Sequence, residues 1–312
     1  MARIGSTDLD VFQLCLGGNV FGWTADEQTS FEVLDAYAAA GGNFLDTADS
    51  YSAFHPGNSG GESETIIGNW MAARGNRDDV IVASKVGQLH GRLGLAAHNI
   101  RAACEDSLRR LQTDRIDLYY AHKDDPDTPL EETLAAFGSL IDEGKVRYIG
   151  ASNYSAERLT EAMEVSRRDG LASFVVLQPQ YNLVERDYER SLRPVVEREG
   201  LACLPYFALA RGFLTGKYRE GATVDSPRAS RAEVYLDDRG RAVLAALDEV
   251  AAAHSTTVAA VAIAWLRVQP TVVAPLASAR NVQQLSGILP GASLDLSGDE
   301  LERLRSASEQ QQ

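Results

Sequence analysis

The sequence predicts a single α/β domain over residues 1–312. It is a (β/α)8 barrel of the TIM type, with an insertion after strand seven and a C-terminal helix. Three observations predict this. Eight short apolar runs recur along the chain, amphipathic stretches of helical period separate them, and most runs start roughly 30 to 35 residues apart, the size of one βα unit.

The runs fall at 12–18 (FQLCLGG), 43–48 (NFLDTA), 80–85 (VIVASK), 116–122 (IDLYYAH), 146–153 (VRYIGASN), 174–180 (FVVLQPQ), 201–207 (LACLPYF) and 271–277 (TVVAPLA). Several are apolar on both faces, as strands must be when core side chains cover them inside and helices cover them outside. Helical patterns lie at 30–40, 100–111, 130–143, 156–168 and 188–199, and Gly41, Gly42, Gly144, Gly170 and Gly200 fall where helices should stop. The last interval is about twice the usual length. It holds a Gly-, Ser- and Arg-rich loop at 212–231 and two further helical patterns at 238–253 and 258–268, so an insertion after strand seven is the simplest account. Loops this long are usually functional.

Hydrophobic residues make up 45% of the chain and charged residues 24%, so a large core is available. The formal net charge is −14, spread along the chain, which disfavours a nucleic-acid partner. A pocket for one phosphate needs only a few fixed donors and stays compatible with that charge. Cys15, Cys104 and Cys203 are widely spaced, form no C-x-x-C pair and read as core residues of a reducing compartment. The five histidines are scattered, so no metal site is expected. No run reaches the ~20 apolar residues of a membrane span, and the expected location is cytoplasmic. Oligomeric state is not readable.

Reactive groups of such barrels sit at the carboxyl ends of the strands. Asp46, Lys85 and His122 close three consecutive predicted strands and Tyr51 follows Asp46 in its loop, so the four should converge on one mouth. A tyrosine has a pKa of ~10, and a neighbouring ammonium lowers it. Lys85 is expected to do this for Tyr51, with Asp46 holding Lys85 charged and His122 orienting a carbonyl oxygen. Hydride delivery to a carbonyl carbon puts negative charge on oxygen, where a proton donor lowers the barrier. Singly, Asp46 also reads as a helix cap or turn residue, Lys85 as a solvated strand end, His122 as a satisfied strand-end histidine and Tyr51 as a loop tyrosine; the conjunction carries the reading. Trp23, Phe54 and Tyr235 are aromatic residues in loops beside this mouth and are expected to line a substrate pocket, with core packing as the other reading.

Six blocks, NFLDTADSY (43–51), GESETIIG (61–68), ASKVG (83–87), SLRRLQTDRIDLYYAH (107–122), LIDEGKVRYIGASN (140–153) and GFLTGKY (212–218), together resemble the aldo-keto reductases, in particular bacterial NADP-dependent members. The resemblance covers nearly the whole chain. It implies Asp46, Tyr51, Lys85 and His122 as catalytic residues of NADPH-dependent carbonyl reduction. It further implies that Ser152, Asn153 and Gln178 hold the nicotinamide carboxamide and that Tyr206 stacks on the ring. Read alone, Ser152-Asn153 is a turn and Gln178 a buried amide.

The family binds its cofactor without a Rossmann loop, and Gly17-Gly18 is only a lone pair. Gly18, Gly212 and Lys217 are carried over as cofactor contacts, and Ser278, Arg280 and Gln284 as the phosphate and adenosine block. A forked guanidinium at Arg280 suits a 2′-phosphate, which favours NADP(H) over NAD(H); alone it reads as a surface arginine starting a helix. Phe207-Ala208 replaces a Ser-Pro frequent in the family and Ile288 stands at an adenine-binding position, with Arg211 and Lys217 as compensating cations. Alternatives are an NAD(P)-dependent polyol or sugar-alcohol dehydrogenase, a redox-sensing subunit with weak turnover, and a barrel isomerase or aldolase.

Overall fold

In the computed structural model, which describes residues 1–221, 223, 224 and 229–309, eight parallel strands form one curled sheet. They are Cys15–Gly17, Phe44–Asp46, Ile81–Val86, Ile116–Ala121, Val146–Ser152, Val176–Gln178, Ala202–Cys203 and Leu276–Ala277. Neighbours in sequence are neighbours in space, and the eighth strand returns to the first through Leu276 opposite Cys15. The seam between seventh and eighth is closed by Cys203 bridging to Val272 and by the Leu276 amide donating to the Pro205 carbonyl. This is the expected (β/α)8 architecture.

Residues that alternate along a strand face opposite layers. In strand four, Leu118 and Tyr120 join a barrel-interior cluster with Phe44, Ala83 and Val176, while Tyr119 packs outward with Phe137 of helix Leu130–Asp142. That double burial is why the runs are apolar on both faces.

Several elements differ from the sequence expectation. An N-terminal hairpin pairs Ala2–Arg3 with Asp10–Val11, and its Ile4, Leu9 and Val11 join the interior cluster. Strands of two residues leave no periodic signature. Helix Glu62–Arg74 has no clear apolar period, because its buried face carries Ser63, Glu64 and Gly68, which break the apolar stripe. Gly68 is required by a close crossing: a Cβ there would stand 2.2 Å from the Arg110 carbonyl oxygen of helix Ala97–Leu111. The pattern at 188–199 is two helices, Asp187–Ser191 and Arg193–Glu199, because Pro194 supplies no amide and starts a helix instead of continuing one. The eighth run contracts to Leu276–Ala277 after Pro275 for the same reason.

Helices Asp238–Ala253 and Val258–Arg267 occupy the long last interval, and Gly298–Ser308 ends the barrel with a Ser297–Glu300 capping box. Residues 222 and 225–228 of the predicted 212–231 loop lie outside the described residues. Among the described residues, no single helix is long and apolar enough to cross a membrane.

Candidate active site

Strand two ends at Asp46, but its pairing with strand three continues: the Thr47 amide donates to the Ala83 carbonyl and the Asp49 amide to the Lys85 carbonyl. The chain then turns, and the Ser52 hydroxyl, donating to the Phe21 carbonyl at 2.7 Å, pins that turn. Tyr51 is thereby brought back over Lys85. The Lys85 ammonium uses its three donors on Asp46 Oδ2 (2.6 Å), the Thr47 carbonyl (2.8 Å) and the Tyr51 hydroxyl (2.8 Å). Tyr51 in turn donates to Asp46 Oδ2 at 3.0 Å. Asp46 and Lys85 are both fully buried. A charge pair buried this deeply is sustained only by such complete hydrogen bonding.

The electrostatics correct one expectation. Burial, reinforced by the Asp46 carboxylate, pushes the Tyr51 phenol well above its ordinary range, so the lowering expected from Lys85 is reversed. Tyr51 therefore keeps its proton across the physiological range. Burial pulls the Lys85 ammonium down against the attraction of Asp46. His122 follows strand four, its amide donating to the Val86 carbonyl, and its ring meets Tyr51 edge-on at 6.0 Å between centroids. Burial, with help from the Lys85 charge, drops its pKa well below 6.5, which makes it a neutral imidazole at neutral pH.

A chain of hydrogen bonds runs from this network around the mouth. Gln178, ending strand six, donates to Asp46 Oδ1 at 2.8 Å, and Ser152, ending strand five, donates to the Gln178 carbonyl at 2.9 Å. Asn153 donates to Ser152 Oγ and to the His122 carbonyl, and accepts from the Tyr206 hydroxyl at 2.8 Å. Its φ of 56° is one that asparagine tolerates better than most residues.

Tyr51, His122, Ser152, Asn153, Gln178 and Tyr206 line a cavity of about 630 Å³ together with Lys217 and Arg280, which lie on the loops after strands seven and eight. Ser278, Gln284 and Gly212 also line it. The Arg280 amide donates to the Gln284 side chain, and Ser278 donates to Asn19 at 2.5 Å, tying the eighth loop to the first. Gly18 is not among the lining residues: its amide donates to the Asp46 carbonyl at 2.7 Å, so it supports strand two from behind. A cavity lined by amides, hydroxyls, an aromatic ring and cations fits a nicotinamide dinucleotide.

The three loop aromatics separate. Trp23 lines the cavity. Phe54 packs edge-on against Trp23 at 4.8 Å and is 65% exposed, outside the lining. Tyr235 is buried against Phe213, with its hydroxyl donating to Glu185, and does not reach the cavity, because its ring completes the core under the inserted segment. Asn19, Thr24 and Thr257 line the cavity without having been singled out. Only Thr257 had a signal, as a cap ahead of helix Val258–Arg267.

Barrel architecture and this strand-end cluster define a (β/α)8 barrel that gathers its polar groups at the carboxyl ends of its strands. Residues 13–309 match the model of the Aldo/keto reductase family, and the chain belongs to that family. Norsolorinic acid reductase B of Aspergillus parasiticus is 32% identical over 97% of this chain and 82% of its own length. Protein tas of Escherichia coli is 33% identical over 96% and 94%. Aryl-alcohol dehydrogenase [NADP(+)] of Phanerodontia chrysosporium is 32% identical over 90% and 76%.

Proposed function

We propose that the protein reduces aldehydes or ketones to alcohols, with NADPH as hydride source and Tyr51 as proton donor. The observation that carries this is the Tyr51 hydroxyl, held 2.8 Å from a buried lysine in the wall of a cavity that Lys217 and Arg280 also line.

Bound NADPH would supply the hydride to the carbonyl carbon. Ser152, Asn153 and Gln178 hold the carboxamide, Tyr206 packs on the ring, Gly212 and Lys217 serve the diphosphate, and Arg280 with Ser278 and Gln284 grips the 2′-phosphate. His122, neutral, donates one hydrogen bond that orients the carbonyl oxygen. Tyr51 turns its proton from Asp46 towards that oxygen by rotation about its C–O bond and releases it as charge develops. The Lys85 ammonium stabilises the tyrosinate left behind, and solvent restores the proton. A high resting pKa suits this role, since the donor must be protonated before each turnover.

Aryl carbonyls are the favoured substrates, supported by Trp23, Tyr51, Tyr206 and Phe207 in the cavity wall and by the activity named for the Phanerodontia relative. A reducing, cytoplasmic setting suits three free, buried cysteines. The test is NADPH consumption with a panel of aryl and aliphatic aldehydes, ketones and sugars. Tyr51→Phe should lower turnover by about 10²- to 10⁴-fold while NADPH still quenches protein fluorescence; retained turnover would remove Tyr51 as the acid.

A further inference from the structure

The outward face of strand three carries a second polar cluster that the chemistry above does not use. Ser84 alternates with Lys85 and points into the layer between strand and helices. Its hydroxyl donates to Glu64 of helix Glu62–Arg74, and Arg110 of helix Ala97–Leu111 closes on the other Glu64 oxygen at 2.6 Å. Asp49 borders this layer from the segment joining Asp46 to Tyr51. Like Glu64 it is fully buried, yet neither of its carboxyl oxygens has a hydrogen-bond partner. Its backbone belongs to the site, since the Asp49 amide donates to the Lys85 carbonyl at 3.2 Å.

Two buried carboxyls therefore face one guanidinium, and Lys85 on the other face of the strand is claimed by Asp46. Ionising both would leave a negative charge in a dry layer, which is costly unless one of them keeps its proton. Asp49, which no side chain donates to while Ser84 and Arg110 both donate to Glu64, is the one that should keep it. We propose that Asp49 is a positioning residue for the Lys85–Tyr51 pair: neutral, it lets segment 46–51 pack against Glu64 and Arg110, and ionised, it sets a negative charge behind Lys85 that weakens Tyr51 as a proton donor. This rests on Tyr51 being the acid.

Burial first, and then the Glu64 charge, raise the Asp49 carboxyl to about 7, against the pull of Arg110, the Ser50 backbone and Lys85. The groups acting on it are Glu64 and Arg110 from the helices, the Ser50 backbone beside it, and Lys85 and Tyr119 from the strands; Cys104 lies beyond Tyr119. Burial lifts Cys104 to about 12 and Tyr119 well above its usual range, so neither changes charge near neutrality. Asp49 is uncharged below pH 7 and charged above it, so carbonyl reduction should decline as pH rises through that value.

Two measurements on the full chain test this. In wild type, kcat for reduction should fall about tenfold across an inflection near pH 7. Asp49→Asn, isosteric with the neutral acid, should abolish the inflection, and Glu64→Gln, which removes the like charge, should move it to lower pH. Infrared difference titration, which needs no turnover, should show a protonated-carboxyl band lost near pH 7 in wild type and missing from Asp49→Asn. An inflection unchanged in Asp49→Asn, or no such band in wild type, overturns the proposal. A titrating band in a protein that reduces no carbonyl overturns the reductase reading instead, and with it the link to Tyr51.

Discussion

The two sides of the barrel mouth are built by different means. Around strands two to six, the polar groups sit on or directly after strands, and hydrogen bonds made within the protein link them without a gap from Asn153 to Tyr51. Around strands seven and eight, the strands are two residues long, Pro205 and Pro275 interrupt them, and the chain after strand seven runs through positive φ at Phe207, Ala210, Arg211 and Gly212. The division suits the roles proposed for the two sides. Proton transfer needs a donor placed to a fraction of an ångström, which packed strands supply. Anion binding depends on long-range charge and on backbone amides, and loops with unusual dihedrals present both.

That contrast can be tested from both sides. Lys85→Met should have the largest effect on stability, about 3–5 kcal/mol, because it leaves Asp46 as an unpaired buried carboxylate; urea denaturation reads this. Arg280→Ala should leave stability unchanged and weaken NADPH binding by about 10- to 100-fold, the worth of a charge-assisted contact of about 1.5–3 kcal/mol, with NADH binding unaffected. If titration shows equal losses for both cofactors, the 2′-phosphate role fails. If Arg280→Ala unfolds as readily as Lys85→Met, the loops carry structure as well and the contrast collapses. Gly212→Ala should be the mildest: no atom lies closer than 3.6 Å to the added carbon, so only the φ of 101° opposes it. About 1–2 kcal/mol is expected, seen as weaker cofactor binding in the same fluorescence titration.

Much of the barrel was legible in the sequence because burial on both faces leaves eight continuous apolar runs, and because Gly144, Gly170 and Gly200 mark helix ends. The convergence of Asp46, Lys85 and His122 was legible for a related reason: in a parallel barrel every strand ends at the same face, so position along a strand fixes position in space. What each group experiences there was not. Tyr51 was expected to be acidified by Lys85, yet burial and Asp46 outweigh that ammonium, and no one-dimensional pattern reports which of two opposite charges is nearer. Tyr235 reads in sequence as a pocket aromatic or a core residue, and its packing against Phe213 decides for the core. The Asp49–Glu64–Arg110 layer was invisible for the same reason, since it joins a loop to two helices across 61 residues of chain. Local periodicity determined the elements and the face on which they end; burial, which depends on what long-range packing brings alongside, decided the charge each buried group carries.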